Sequence, residues 1–228
     1  MGDETLGTIA VLGGTGKEGS GLALRWAHKG HRVILGSRSA EKANESAAAM
    51  NETLGTDLVS GAANADAAAA ADIVVLTVPF AVQQSTAAEA RGGLAGKILI
   101  DVTVPLVPPK VGRVQLPNGG SAVEALQAML GPEVRVVSAF QNISSSHLTK
   151  LDEEVDCDVL VCADDPADAD IVVELAREIG LRAWNAGPLA NSVVSEGLTS
   201  VLITLNRRYK VPGSGIRITC IEPENQPA

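Results

Sequence analysis

Six residues near the amino end, Gly14-Thr15-Gly16-Lys17-Glu18-Gly19, hold glycines in the spacing G-x-G-x-x-G. That spacing suits a backbone that must approach a pyrophosphate. Gly14 permits a tight turn, Gly16 lets the main chain come close, and Gly19 lets a helix pack against a strand. The unpaired N–H groups at the start of that helix then face the anion. A hexapeptide alone is weak, but an apolar run at Thr8–Leu12, a helical pattern after Gly19 and a second strand at Arg32–Gly36 supply its context. Beyond the second strand, a site that grips a ribose 2′-hydroxyl would place an acid. Here the residues are Gly36-Ser37-Arg38, with Lys42 one helical turn further. A hydroxyl and a guanidinium suit a 2′-phosphate, so the expected cofactor is NADP(H).

Three further strand ends should meet at the same sheet edge, where open α/β folds bind ligands. They are Thr77-Val78-Pro79-Phe80, Asp101-Val102-Thr103 and Ser138-Ala139-Phe140-Gln141-Asn142. A nicotinamide is expected there, with Val78, Pro79 and Ala139 alongside. No acid–base pair accompanies them. Tyr209 has Gly213, not Lys, four residues on, which excludes a Tyr-x-x-x-Lys proton shuttle. His28, His31 and His147 read as surface residues, and Cys157, Cys162 and Cys220 as buried thiols without zinc or redox spacing. Hydride exchange between two stacked rings needs position more than proton transfer, so catalysis by positioning alone is expected, with a second organic coenzyme as partner.

The elements that must hold these residues follow from alternating short β-branched runs and Ala-rich polar segments, the pattern of βαβ units. Strands are expected at Thr8–Leu12, Arg32–Gly36, Asp57–Gly61, Asp72–Val78, Lys97–Asp101, Val134–Phe140, Asp158–Cys162 and Arg182–Ala186. Helices are expected near Gly19–Lys29, Ala40–Asn51, Ala81–Arg91, Ser121–Leu130, Ala167–Ile179 and Ser192–Tyr209. The Ala-dominated stretch Ala62–Ala71 reads as a short crossover helix. Asp165-Pro166 reads as an N-cap and first-turn proline, not a metal site. The fold class is therefore α/β, a Rossmann-type doubly wound, mainly parallel sheet. The expected organisation is a dinucleotide-binding domain over residues 1–186 and a small C-terminal lobe over 187–221 that ends in a strand at Ile216–Ile221. A disordered tail is expected over 222–228.

The net charge of −9 argues against nucleic-acid or anionic-membrane partners. The acidic start Met1–Thr5 is unlike a signal peptide, and the longest apolar run, Ile73–Val82, is too short to span a bilayer. A cytoplasmic protein is expected.

Beyond the glycine loop, the chain resembles the NADPH-dependent coenzyme F420 reductases, also called F420H2:NADP+ oxidoreductases, from Thr8 to Ile221. The resemblance rests on Val11-Leu12-Gly13-Gly14-Thr15-Gly16, Gly36-Ser37-Arg38, Leu76-Thr77-Val78-Pro79, Leu151-Asp152-Glu153, Asp158-Val159 and Asp164-Asp165. Above all it rests on Ala186-Gly187-Pro188-Leu189-Ala190-Asn191-Ser192 with Glu196, Leu198 and Thr199. It implies a homodimer in which a deazaflavin, coenzyme F420, lies against the nicotinamide. It further implies that Thr15, Lys17, Glu18, Ser37, Arg38, Val78 and Pro79 line NADP. Gln141, Asn142, Ile143, Ser144, Pro188, Leu189, Ser214 and Gly215 would then meet the deazaflavin. Archaeal members carry His-x-Ile-Pro where this chain has Gln141-Asn142-Ile143-Ser144, and an Arg where it has Val193. Gln141 can donate to a ring carbonyl but cannot titrate near neutrality. Arg207, Arg208, Lys210 and Arg217 could receive an anionic coenzyme tail or could simply suit a helix C-terminus. Two other readings stay open here. One is an NADPH-dependent reductase of a flavin or quinone-like acceptor, and the other is an NADP(H)-sensing module without turnover.

Overall fold

A computed structural model describes residues 7–221, so the expected disordered tail and the acidic start lie outside the described residues. The β–α alternation resolves into β1 (Thr8–Leu12), α1 (Lys17–His28), β2 (Arg32–Ser37), α2 (Ala40–Leu54), β3 (Val59–Ala63) and α3 (Asn64–Ala70). These are followed by β4 (Ile73–Leu76), α4 (Gln83–Ala90), β5 (Ile98–Asp101), α5 (Ala122–Leu130), β6 (Arg135–Ser138) and α6 (Ser145–Leu148). The chain ends with β7 (Asp158–Val161), α7 (Pro166–Glu178), β8 (Arg182–Asn185) and α8 (Ser192–Tyr209).

Six strands form one parallel sheet in the order β3-β2-β1-β4-β5-β6, reversing direction of growth beside β1. β7 and β8 make a second, parallel pair. An antiparallel bridge between Ser138 and Cys162, with N–H···O distances of 2.8 and 3.0 Å, joins it to the edge of β6. The central strands are buried on both faces, which is why their sequences run apolar without alternation. One face carries Leu22, Ala23 and Trp26 of α1 with Ala43, Ala47 and Met50 of α2. The other carries Ala67, Ala87 and Leu126 of α3, α4 and α5. Ser39 caps α2 and Gly55 ends it at φ 66°. The Asp165 side chain accepts from Ala167 N at 2.9 Å with Pro166 in the first turn, as the sequence suggested.

Several boundaries differ from expectation for local reasons. β3 begins at Val59, not Asp57, because α2 runs on to Leu54 and the Asn51 amide brackets Val59, donating to its carbonyl at 2.8 Å and accepting from its N–H at 3.0 Å. β4 ends at Leu76, just ahead of Pro79, which has no N–H for a ladder. β6 ends at Ser138 because Phe140 takes φ 71° and turns the chain inward. Ile216–Ile221 is no strand. Asp158 N donates to Ile216 O, and the buried Asp158 side chain accepts from Ile218 N, both at 2.8 Å, so one residue, by main chain and side chain, anchors this segment in place of a ladder. His31 is buried against Glu178 at 2.8 Å rather than on the surface, and His147 Nε2 lies 3.2 Å from Gly213 O, whereas His28 is exposed. Cys157 and Cys162 are buried thiols but Cys220 is exposed.

Candidate functional site

The glycine loop joins β1 to α1 at the carboxyl edge of the sheet. The sharp turn falls on Gly13, at φ 77°, one residue before the hexapeptide. Gly13 N and Gly14 N both donate to Gly36 O at 3.0 Å, which ties the loop to the end of β2. A Cβ on Gly14 would stand 2.7 Å from Val11 O, and one on Gly19 would strike Thr77 Oγ1 and lie 2.9 Å from Gly14 Cα. Gly19 therefore sets how closely α1 approaches β4. A Cβ on Gly16 would meet just Gly13 O, at 3.2 Å, so that face of the loop is open. Gly16 caps α1 without a side-chain hydrogen bond, which leaves the first-turn N–H groups free for an anion. Buried Asn64 supports the loop from below, its Oδ1 3.4 Å from Gly13 N. The sequence expectation of a crossover helix over Ala62–Ala71 gives Asn64 no role at the loop.

At the end of β2, Ser37 is nearly buried and its Oγ accepts from Ser39 N at 3.3 Å. Arg38 and Lys42 project from the next turn into solvent, and among the described residues neither forms a salt bridge. This corner has two free cations and no acid at the ribose position. Glu18 is half-buried; its Oε1 is enclosed without a hydrogen-bond partner, and burial pushes the carboxyl up to about 8.

Val78 and Pro79 follow β4 beside the glycine loop, Val78 Cγ1 being 2.7 Å from where a Gly13 Cβ would stand. Ala139 is wholly buried in the core below them. Gln141 and Asn142 are buried too. Gln141 Nε2 donates to Asp101 O at 2.8 Å and Ser138 Oγ at 2.9 Å, and Asn142 Nδ2 donates to Asp158 O at 2.7 Å. Their side-chain oxygens have no partner among the described residues. Ile143 is buried and Ser144 half-buried. Gly213 packs so closely on Ser144 that a Cβ there would lie 2.7 Å from Ser144 Cβ, and Gly215 is similarly pressed on Cys157. The fold thus gathers Gln141–Ser144 and Ser214–Gly215 at one place. Pro188 is exposed and Leu189 buried, in the turn leading into α8, with Leu189 N bound to Asp164 Oδ1 at 3.1 Å.

A buried polar knot ties this second wall to the sheet. Glu196 of α8 accepts from Ala122 N at 2.8 Å and Val123 N at 3.1 Å, so it caps α5 from another helix. Ser192 Oγ bonds Ser121 Oγ at 2.8 Å, and Thr199 Oγ1 donates to Gln141 O at 2.7 Å. Gln83 donates to both Asp101 and Ala122 O. Burial pushes Glu196 up to about 7, against those two N–H bonds, and raises Asp101 as well. Nothing in the sequence singles out Gln83, which opens the polar run Gln83-Gln84-Ser85-Thr86 of α4 with no sign of which side chain will be buried. Lys110, Arg113, Arg207 and Arg208 flank a groove of about 670 Å³ between α8 and the loop before α5, whereas Arg217 is paired with Asp156 and Asp158 elsewhere. Among the described residues no group of three His, Cys, Asp or Glu side chains is placed to hold a metal ion.

Residues 8–105 match the family model described as NADP oxidoreductase, coenzyme F420-dependent. The chain is 45% identical to the F420-dependent NADP reductase of Methanothermobacter thermautotrophicus over 96% of its own length and 97% of the relative's. It is 44% identical to the protein of the same name from Methanocaldococcus jannaschii, over 94% and 99%. A solved structure from Arthrobacter sp. FB24, assigned as an F420-dependent NADP reductase, is 29% identical and superposes with a TM-score of 0.78 over 93% of this chain and 99% of that one.

Proposed function

The chain belongs to the coenzyme F420-dependent NADP oxidoreductases, and from that premise we propose that its crevice binds NADPH and oxidised F420 ring to ring for reversible hydride transfer. The observation that carries this is the open glycine loop and uncapped start of α1, set beside a Ser37-Arg38 corner with free cations and no acid. Backbone N–H groups of Thr15 and of Lys17 to Gly19 hold the pyrophosphate; Ser37, Arg38 and Lys42 hold the 2′-phosphate; Val78 and Pro79 flank the nicotinamide. Ile143, Ser144, Pro188, Leu189, Ser214 and Gly215 form the deazaflavin wall. Gln141 and Asn142 shape that wall from behind, since their amide N–H groups are engaged inside. No side chain acts as acid or base on the transferred hydride. The residues bring the reacting carbons within about 3–3.5 Å and exclude water between the rings.

A homodimer and a cytoplasmic location extend the same reading. Val194, Val201, Leu205 and Tyr209 lie on one exposed face of α8, and exposed Val114 packs beside Gly197 of the same helix. A second copy of the chain suits an apolar face of this kind. The free thiols Cys157 and Cys162 suit a reducing compartment, and no described helix is long and apolar enough to cross a membrane.

The test is to mix the protein with NADPH and oxidised F420 and follow the deazaflavin absorbance, with NADH and flavin nucleotides in parallel. Bleaching with NADPH and little with NADH is the expected result. Tight NADPH binding with no acceptor reduced would replace the enzyme by a sensor.

A further inference from the structure

Two segments that wall the crevice run on together beyond it. One is the loop after β5, where Thr103 Oγ1 reaches Val78 O at 3.5 Å; the other is α8, which starts beside Leu189. Adjacent hydroxyls on α8 mark where they meet. Thr199 Oγ1 donates to Gln141 O at 2.7 Å in the wall, and Ser200 Oγ donates to Arg113 O at 3.3 Å in the loop. One turn on, Thr204 Oγ1 donates to Gly112 O at 2.9 Å, and a Cβ on Gly112 would lie 3.7 Å from Arg207 Nη1. The groove of about 670 Å³ lies along this seam. From Thr199 to Arg207 the helix rises about 12 Å, so the groove opens within that distance of the crevice wall.

Its lining holds Lys110 and Arg113 from the loop, Arg207 and Arg208 from α8, and no acid, in a chain with 27 acidic residues against 18 basic ones. All four cations are exposed, and among the described residues none forms a salt bridge. Elsewhere Arg25 and Lys97 bond main-chain carbonyls, and Arg135 and Arg182 pair with buried carboxylates. The dipole of α8 accounts for Arg207 and Arg208 in its last turn. It does not account for Lys110 and Arg113, whose loop meets Thr204 from 92 residues away. Four neighbouring cations repel one another, and the fold supplies no counter-charge in the groove to offset it.

We propose that this groove receives the anionic tail of the deazaflavin coenzyme, a flexible chain bearing a phosphodiester and carboxylates. The proposal rests on the two-coenzyme reading of the crevice. A guanidinium takes either group in a forked pair of bonds, and three of the four cations are guanidiniums. Several charges strung along a chain call for several cations along a groove. NADPH needs none of them, since in the same reading its phosphates go to the glycine loop and the Ser37-Arg38 corner.

The experiment is fluorescence titration of the full chain with oxidised F420 and with the same deazaflavin ending at its ribityl hydroxyl, at about 20 mM and about 300 mM salt. It is run on wild type, on Arg113→Ala with Arg207→Ala, and on Lys110→Glu with Arg208→Glu. NADPH binding, thermal melting and turnover are measured beside it. Wild type should bind the tailed coenzyme about tenfold more tightly at low salt, and the advantage should shrink at high salt. The alanine pair should cut that advantage about threefold and the glutamate pair should abolish it, with Kd for NADPH and for the tail-less deazaflavin unchanged. A preference for the tail that survives both variants overturns the proposal, whether or not the melting point shifts, because a shift alone marks a structural role at the helix end. Equal binding of the two deazaflavins by wild type overturns it as well. Should an oligoglutamate peptide bind wild type and not the variants while the tail advantage persists, the groove serves a free polyanion and the tail assignment falls. Loss of the preference as expected, but no turnover with any acceptor, would support the groove's role and remove the hydride-transfer reading instead.

Discussion

Under the proposed function, the selectivity of the dinucleotide corner rests on one guanidinium. Arg38 has no salt bridge among the described residues and stands where an acid would accept a ribose hydroxyl. A charge-assisted bond to phosphate is worth about 1.5–3 kcal/mol. Arg38→Ala should therefore raise KM for NADPH by roughly ten- to a hundredfold while leaving KM for NADH within about twofold; steady-state kinetics with both nucleotides reads the difference. The free cation and the missing acid of this corner are readable from Gly36-Ser37-Arg38 because Ser37 and Arg38 are adjacent in sequence. Gly13, which carries the turn, was less so, because positive φ is a backbone property that adjacent glycines share equally on paper. Asn64 and Gln83 were illegible at this scale, since their partners lie 51 and 18 residues away.

Among the elements, helix positions followed the spacing of buried residues, as Ala43, Ala47 and Met50 of α2 illustrate. Strand ends did not, because they were set by Pro79, by the left-handed Phe140 and by the Asn51 clamp on Val59. The expected last strand failed for a related reason: Ile216–Ile221 has the right composition, but the Cys157 and Asp158 side chains took the N–H groups of Ile216 and Ile218 that a ladder would have used. α8 is held by Glu196, whose two oxygens each accept an N–H from α5. Gln can offer one acceptor there and faces the second N–H with its own, so Glu196→Gln should cost about 1–3 kcal/mol. For a chain of this size that lowers Tm by roughly 2–4 °C per kcal/mol. The carboxyl is pushed up to about 7 in the folded chain from the ordinary 4.5. Its contribution is therefore fullest below pH 4.5 and is lost as pH rises through 7. Thermal melts at pH 5 and pH 8 check this, because the gap between wild type and Glu196→Gln should narrow at the higher pH.

For the whole molecule, a mainly parallel, doubly wound sheet was readable from the βαβ alternation, and the order β3-β2-β1-β4-β5-β6 is the one of the Rossmann-type class, although alternation alone leaves other orders open. The β7–β8 pair hanging from β6 by one antiparallel bridge was not, for nothing in Ser138 or Cys162 marks a change of direction. The exposed face of α8 was hidden as well, because Val194, Val201 and Leu205 look like ordinary core spacing until the helix is seen to have solvent on that side. Leu205→Glu with Val201→Lys should convert a dimer to a monomer, read by light scattering after gel filtration. An unchanged mass would move the interface elsewhere.

The linear order of the parts also sets an order in time. The glycine loop and the Ser37-Arg38 corner lie on β1 and β2, within the first 40 residues, and their sheet is complete through β5 by Asp101. Ser214 and Gly215, which the proposed function puts on the opposite wall, leave the ribosome more than a hundred residues later, on the order of ten seconds at common rates of synthesis. Under that proposal every residue assigned to the nucleotide is made well before the last of those assigned to the deazaflavin. A ligand that binds the folded form stabilises it, and of the two coenzymes NADPH is the one whose proposed contacts all lie in the part of the chain made first.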